Sequence, residues 1–216
     1  LAACFPSVKA AWMGAYDPDP NALRANFFSE PASPQVHRVA DQIVGSADHR
    51  QQPFVLVDKV NARVYVFAGD GGLRASSPAL IGSAVGDDSV PGIGLRPIAD
   101  ILPAERTTPA GKFLSEAGHN AKGEDIVWVD YDAAISMHRV RATNPAEQRL
   151  ERLATPMAAD NRISYGCINV PAAFFDEHVS PVFRAGKSFV YVLPEVKPDA
   201  LAFGWSLDPG TPIAAK

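Results

Sequence analysis

A chain of 216 residues, 47% hydrophobic and 20% charged, is long enough to bury a sizeable core without disulfide or metal staples. Its formal net charge of -4, with Lys and Arg scattered rather than gathered in blocks, argues against a nucleic-acid partner held by phosphate neutralisation. No apolar run approaches the roughly 18 residues that a membrane helix needs, so no transmembrane segment is expected.

The 19 prolines gather toward the two ends, which reads as irregular wrapping segments over residues 1–50 and 196–216 around a central domain over 51–195. The opening Leu1-Ala2-Ala3-Cys4 is similar to the end of a bacterial lipoprotein leader, which makes Cys4 a candidate lipid anchor. Asp17 to Pro20 is a turn cluster whose spacing matches no calcium loop. Ser33 and Pro34 then read as the N-cap and first position of a helix. Val36, Val39, Ala40, Ile43 and Val44 supply its apolar face, Gly45 closes it, and His37 reads as structural.

From Phe54 the pattern changes to extended chain. Phe54 to Asp58, Arg63 to Ala68 and a third stretch ending near Gly82 predict an antiparallel meander. Further strands are expected at Lys112 to Leu114, Ile126 to Asp130, Ala133 to His138 and Ser188 to Leu193. Two long loops interrupt them. Gly82 to Arg106 carries Gly92-Ile93-Gly94, read as turn chemistry, and Arg139 to Ile163 is expected to be helical around Ala146 to Leu153. The fold class is α+β, predominantly β: a β-sandwich or mixed-sheet domain with few helices.

The stretch with most chemistry is Ile163-Ser164-Tyr165-Gly166-Cys167-Ile168-Asn169-Val170, followed by Pro171 opening a short helix to about Val179. A glycine just before a cysteine lets the backbone turn sharply, exposing the sulfur and aiming N–H groups where an acyl-transfer oxyanion needs them. A cysteine nucleophile also needs a base that works near neutral pH, and His138, at the end of a predicted strand, suits that role. Cys4 and Cys167 lack the spacing of metal ligands, and a disulfide between them stays open. His119 reads as a surface residue and His178 as a helix-end cation, while Phe174 and Phe175 read as core. The cluster Arg139, Arg141, Arg149 and Arg152 fits either a solvated face or a site for substrate carboxylates.

Ser164-Tyr165-Gly166-Cys167-Ile168-Asn169 resembles the active-site signature of L,D-transpeptidases of the YkuD type, Ser/Thr-His-Gly-Cys-apolar-Asn/Arg with an upstream base histidine. Thr107-Thr108-Pro109-Ala110-Gly111-Lys112-Phe113 is similar to the Thr-Pro-x-Gly-x-Phe segment of that family. Val55 to Asp58 with Arg63 to Val66 resembles its first hairpin. The resemblance runs from about Phe54 to Leu193. It departs at Tyr165, where the family has a second histidine, and in the 25-residue gap between His138 and Ser164, which is longer than usual.

The resemblance implies Cys167 as nucleophile, His138 as base, Gly166 as a backbone oxyanion contributor and the Arg139 carbonyl as third member of the triad. It places Ser164, Tyr165, Asn169 and Arg141 around the substrate. The implied activity is acyl transfer on peptidoglycan stem peptides through a thioester, with release of D-alanine, an amine or protein acceptor, no metal or cofactor, and acylation by carbapenems. It also implies work in the cell envelope, periplasmic or lipid-anchored. An L,D-carboxypeptidase using the same residues and an inactive wall-binding module are the alternatives.

Overall fold

The computed structural model describes residues 23–205; Cys4, the Asp17 to Pro20 cluster and residues 206–216 lie outside them. Helix α1 (Pro34–Gly45) starts where its sequence dictates. Ser33 is extended, its hydroxyl accepts the Val36 N–H at 3.2 Å, and Pro34 takes the position where no N–H is needed. The five apolar residues expected to form one face are its buried residues, and Ser46 caps the end.

Four strands follow: β1 (Phe54–Asp58), β2 (Arg63–Phe67), β3 (Leu73–Pro78) and β4 (Ile81–Gly82). After a loop built from 3-10 turns come β5 (Gly111–His119), β6 (Asp125–Asp130) and β7 (Ile135–Arg139). Helix α2 (Arg149–Ala154) sits in the second long loop and leads to β8 (Arg162–Ser164) and β9 (Ile168–Val170). The segment after Pro171 forms α3 (Ala172–Phe174), a π turn at Phe175–Val179 and α4 (Ser180–Arg184). Strand β10 (Ser188–Val192) and α5 (Asp199–Phe203) complete the described chain.

Eight strands form one mixed sheet in the order β3-β2-β1-β10-β5-β6-β7-β9, and β4 pairs with β8 in a second, two-stranded sheet. The meander β1-β2-β3 is antiparallel as expected, but β1 has a parallel partner in β10 on its other side. That pairing joins the first and last strands of the sheet across more than a hundred residues, a separation that local patterning does not encode. Four expectations change. The third stretch of the meander divides into β3 and β4, of which β4 joins the second sheet, strands β8 and β9 flank the cysteine where only a turn was expected, β5 runs to His119, and the helix after Pro171 continues to Arg184.

Strands β1 and β10 are buried along their whole length because both sheet faces are covered. One face gives Phe54, Leu56, Tyr65, Phe67, Phe189 and Tyr191 to a cluster with α1 and Phe203 of α5, so the helices of both outer segments share a core with the central strands. The other face gives Val55, Val57, Val64, Val66, Val190 and Val192 to a cluster that also holds Val127, Ile135, Met137, Ile168 and Val170 from β6, β7 and β9. Phe174, Phe175 and Phe183 fill the same cluster. The two ends of the sheet are thereby fixed to one another. No helix among the described residues is long and apolar enough to cross a membrane.

A charged network lies inside the molecule. Lys59, whose side chain is 1% exposed, donates to Asp87 at 2.7 Å, to the Thr108 carbonyl at 3.0 Å and to the Gly86 carbonyl, with Glu195 at 3.6 Å. Arg162 pairs with the second oxygen of Glu195, so two cations balance two carboxylates. Burial alone would raise the Asp87 carboxyl. The Lys59 ammonium and the N–H groups of Glu195, Lys197 and Val196 outweigh it and hold the group at about 2, against the usual 3.8. Asp87 therefore adds stability above its unfolded value, and that contribution disappears as pH falls from 3.8 toward about 2. Lys59→Met leaves buried carboxylates without their cation and is expected to cost about 3–5 kcal/mol in a denaturant titration at neutral pH.

Candidate active site

Strands β8 and β9 belong to different sheets, so Tyr165 to Cys167 is the crossover between them. The crossing is tight. Gly166 has φ +123, and a Cβ there would stand 2.6 Å from both the Ile135 side chain and the Thr107 carbonyl. Three side chains pin the turn. Thr108 Oγ1 donates to the Gly166 carbonyl at 2.8 Å and accepts the Gly82 N–H at 2.9 Å. Ser164 Oγ donates to the Cys167 carbonyl at 2.6 Å and accepts the Gly166 N–H at 3.0 Å. Asn169 Nδ2 also donates to the Cys167 carbonyl, at 3.2 Å.

Ser164 and Asn169 are therefore buried, internally bonded residues that shape the turn. The Gly166 N–H is already used by Ser164, whereas the Cys167 N–H donates to no acceptor among the described residues.

Strand β9 runs parallel beside β7, with Met137 opposite Ile168 and His138 opposite Asn169. Alternation does the rest. Ile135, Met137, Ile168 and Val170 face the core, which turns Ser136, His138, Cys167 and Asn169 toward the opposite side. Cys167 is a half-buried free thiol. Its sulfur lies 3.6 Å from Ser136 Oγ and 3.8 Å from the Ala134 carbonyl.

His138 is half-buried, with Nδ1 2.7 Å from the carbonyl of Arg139. A carbonyl only accepts, so Nδ1 carries the hydrogen and Nε2 keeps its lone pair. Burial pushes the His138 ring below its ordinary value of 6.5. The Arg139 carbonyl opposes that shift, Arg141 and Arg149 reinforce it, and Glu124 opposes it weakly. No hydrogen bond joins the ring to the sulfur. The two are diagonal neighbours on adjacent strands, a separation that ring side chains span.

The remaining expected residues divide. The Arg139 side chain points away from its histidine, onto Asp176 and over the Phe175 ring at 4.6 Å. Arg141 pairs with Glu124, Arg149 reaches the Asn169 side-chain oxygen at 2.8 Å, and Arg152 donates to the carbonyls of Glu147 and Asp160, so the four arginines do not act as one basic surface. Tyr165 is half-buried, with the Arg106 guanidinium 4.0 Å above its ring. His119 is exposed beside Asp125, and His178 lies against Phe174.

Sequence reading missed Ser136, Ala134, Thr108 and Arg106 at this place. Ser136 was detectable, being two residues before His138 in an alternating strand. The other three arrive through contacts between distant segments.

No family model matches the sequence, and no curated protein matches it. Among solved structures the chain is similar to the NMR structure of the catalytic domain from E. faecium L,D-transpeptidase, at 15% identity and a TM-score of 0.35. The likeness covers 67% of this chain and 99% of that one. A similarity that loose carries no assignment of activity.

The turn at Gly166 has no room for a side chain, and its φ disfavours one. Gly166→Ala is expected to lower folding stability by about 2–4 kcal/mol, read as a fall in the thermal midpoint.

Proposed function

We propose that the chain is a cysteine acyltransferase of the L,D-transpeptidase type that acts on peptidoglycan stem peptides in the cell envelope. The observation that carries this reading is the shared face of β7 and β9. A free thiol and a histidine lie on it together, and the histidine's Nδ1 is fixed on the Arg139 carbonyl so that Nε2 is left basic. The motif resemblance around Ser164 to Asn169 supplies the substrate class.

In this mechanism His138 Nε2 takes the thiol proton and the Cys167 sulfur attacks the carbonyl that joins a diaminopimelate L-centre to D-alanine. Negative charge collects on the carbonyl oxygen, where the unused Cys167 N–H is the available backbone donor. Gly166, with its own N–H bonded to Ser164, contributes the turn that presents that amide. Collapse breaks the bond to D-alanine, which leaves with the proton from His138, and the thioester remains. An amine acceptor, deprotonated by His138, then takes the acyl group and restores the thiol. No metal or cofactor enters this scheme.

A second reading, an inactive wall-binding module, draws on the lack of a hydrogen bond between sulfur and imidazole and on Tyr165 in place of a histidine. Mass spectrometry of the protein mixed with a stem tetrapeptide separates the readings. An adduct that disappears in Cys167→Ala supports the enzyme; no adduct with the parent protein favours the module. Cross-linked dimers among the products identify transfer, and shortened peptides alone identify a carboxypeptidase.

His138→Ala is expected to lower the acylation rate by about 10²–10⁴-fold. Because burial favours the neutral ring, the acid limb of the acylation profile is expected below pH 6.5. A limb above that value contradicts His138 as the base.

A further inference from the structure

We infer that Ser136 is a third catalytic group, a hydroxyl that holds the Cys167 sulfur directly and favours its anionic form. Ser136 is 6% exposed and lies on the face of β7 that carries His138. Continuing the parallel register back one step from Met137 and Ile168 sets Ser136 opposite Cys167. Its Oγ lies 3.6 Å from the sulfur, within range of an O–H to sulfur hydrogen bond.

That contact is the only hydrogen bond the Ser136 side chain makes among the described residues. A buried hydroxyl hydrogen needs an acceptor, and leaving it without one costs about 1–3 kcal/mol. The sulfur fills that need in both protonation states, by different geometries. As a thiol, Cys167 accepts the Ser136 O–H and donates its own hydrogen to the Ala134 carbonyl at 3.8 Å. As a thiolate it can only accept, the Ala134 carbonyl becomes a repulsive neighbour, and the Ser136 O–H is the donor positioned to meet the charge. A hydrogen bond to an ionised partner is stronger than one to a neutral partner, so Ser136 shifts the balance toward thiolate. The His138 ring is the other titratable group on this face. Tyr165, with Arg106 stacked on it, stands two residues before the sulfur, and Arg149 approaches through Asn169.

The inference adds to the acyl-transfer reading, and its test needs no acyl substrate. The rate of Cys167 alkylation by iodoacetamide is measured from pH 5 to 10 in the parent protein and in Ser136→Ala, a change that removes one oxygen and little volume. At pH values below the midpoint the variant is expected to react about tenfold more slowly, with the midpoint moved up by about one unit. At high pH, where both proteins are fully ionised, the two rates should converge. A structural role in merely keeping the sulfur accessible predicts a uniform change at every pH, and that result overturns the inference. An unchanged midpoint overturns it too. A shifted midpoint in a protein that forms no stem-peptide adduct keeps the role of Ser136 and removes the acyl-transfer reading. An adduct with no shift does the reverse.

Discussion

The parallel pairing of β7 with β9 is the constraint on which the candidate site depends. Side chains alternate along a strand, so one register fixes every facing at once. Ile135, Met137, Ile168 and Val170 are apolar and buried in the large cluster that joins both ends of the sheet. A slip by one residue would take all four out of that cluster and turn Ser136, His138 and Cys167 into it. The hydrophobic effect that fills the core therefore also orients the thiol and the imidazole outward, and the chemistry inherits its geometry from the packing.

The turn before β9 depends on a second, electrostatic constraint. Lys59 holds the Thr108 carbonyl, and the Thr108 hydroxyl holds the Gly166 carbonyl one residue before the cysteine. The chain of contacts runs from a fully buried ion pair to the base of the sulfur without passing through solvent. Buried ion pairs are weak sources of net stability because desolvation offsets attraction. Their geometric demand is strict, however, since an ammonium with three donors and two carboxylates nearby has few arrangements that satisfy all of them. The network thus restricts the loop between β4 and β5 to a shape in which Thr107 and Thr108 line the back of the Gly166 turn.

Tyr165 and Arg106 pack against one another in the turn that precedes the thiol. The tyrosine ring offers a face to a guanidinium that makes no ion pair among the described residues. A histidine in its place would present a titrating ring to the same cation. Tyr165 stands two residues before the cysteine, and neither it nor Arg106 hydrogen-bonds the sulfur, whose polar contacts are Ser136 and the Ala134 carbonyl.

Helix α1 was legible in full because Ser33, Pro34 and the spacing of Val36 to Val44 act within a few residues of one another. The strands rich in Val, Tyr and Phe were legible for the same reason, as were the tight glycine at position 166 and the candidacy of Cys167 and His138. What local sequence does not contain is partnership. The parallel β1–β10 pairing, the split of β8 and β9 between two sheets, the Lys59 network and the approach of Ser136 to the sulfur join residues tens to more than a hundred positions apart. The sequence by itself determined where the chain turns and which faces are apolar, because those choices are made by neighbouring side chains and backbone sterics. Only the tertiary structure decided which face meets which, because that depends on closing long loops around a shared core, whose free energy belongs to the whole chain.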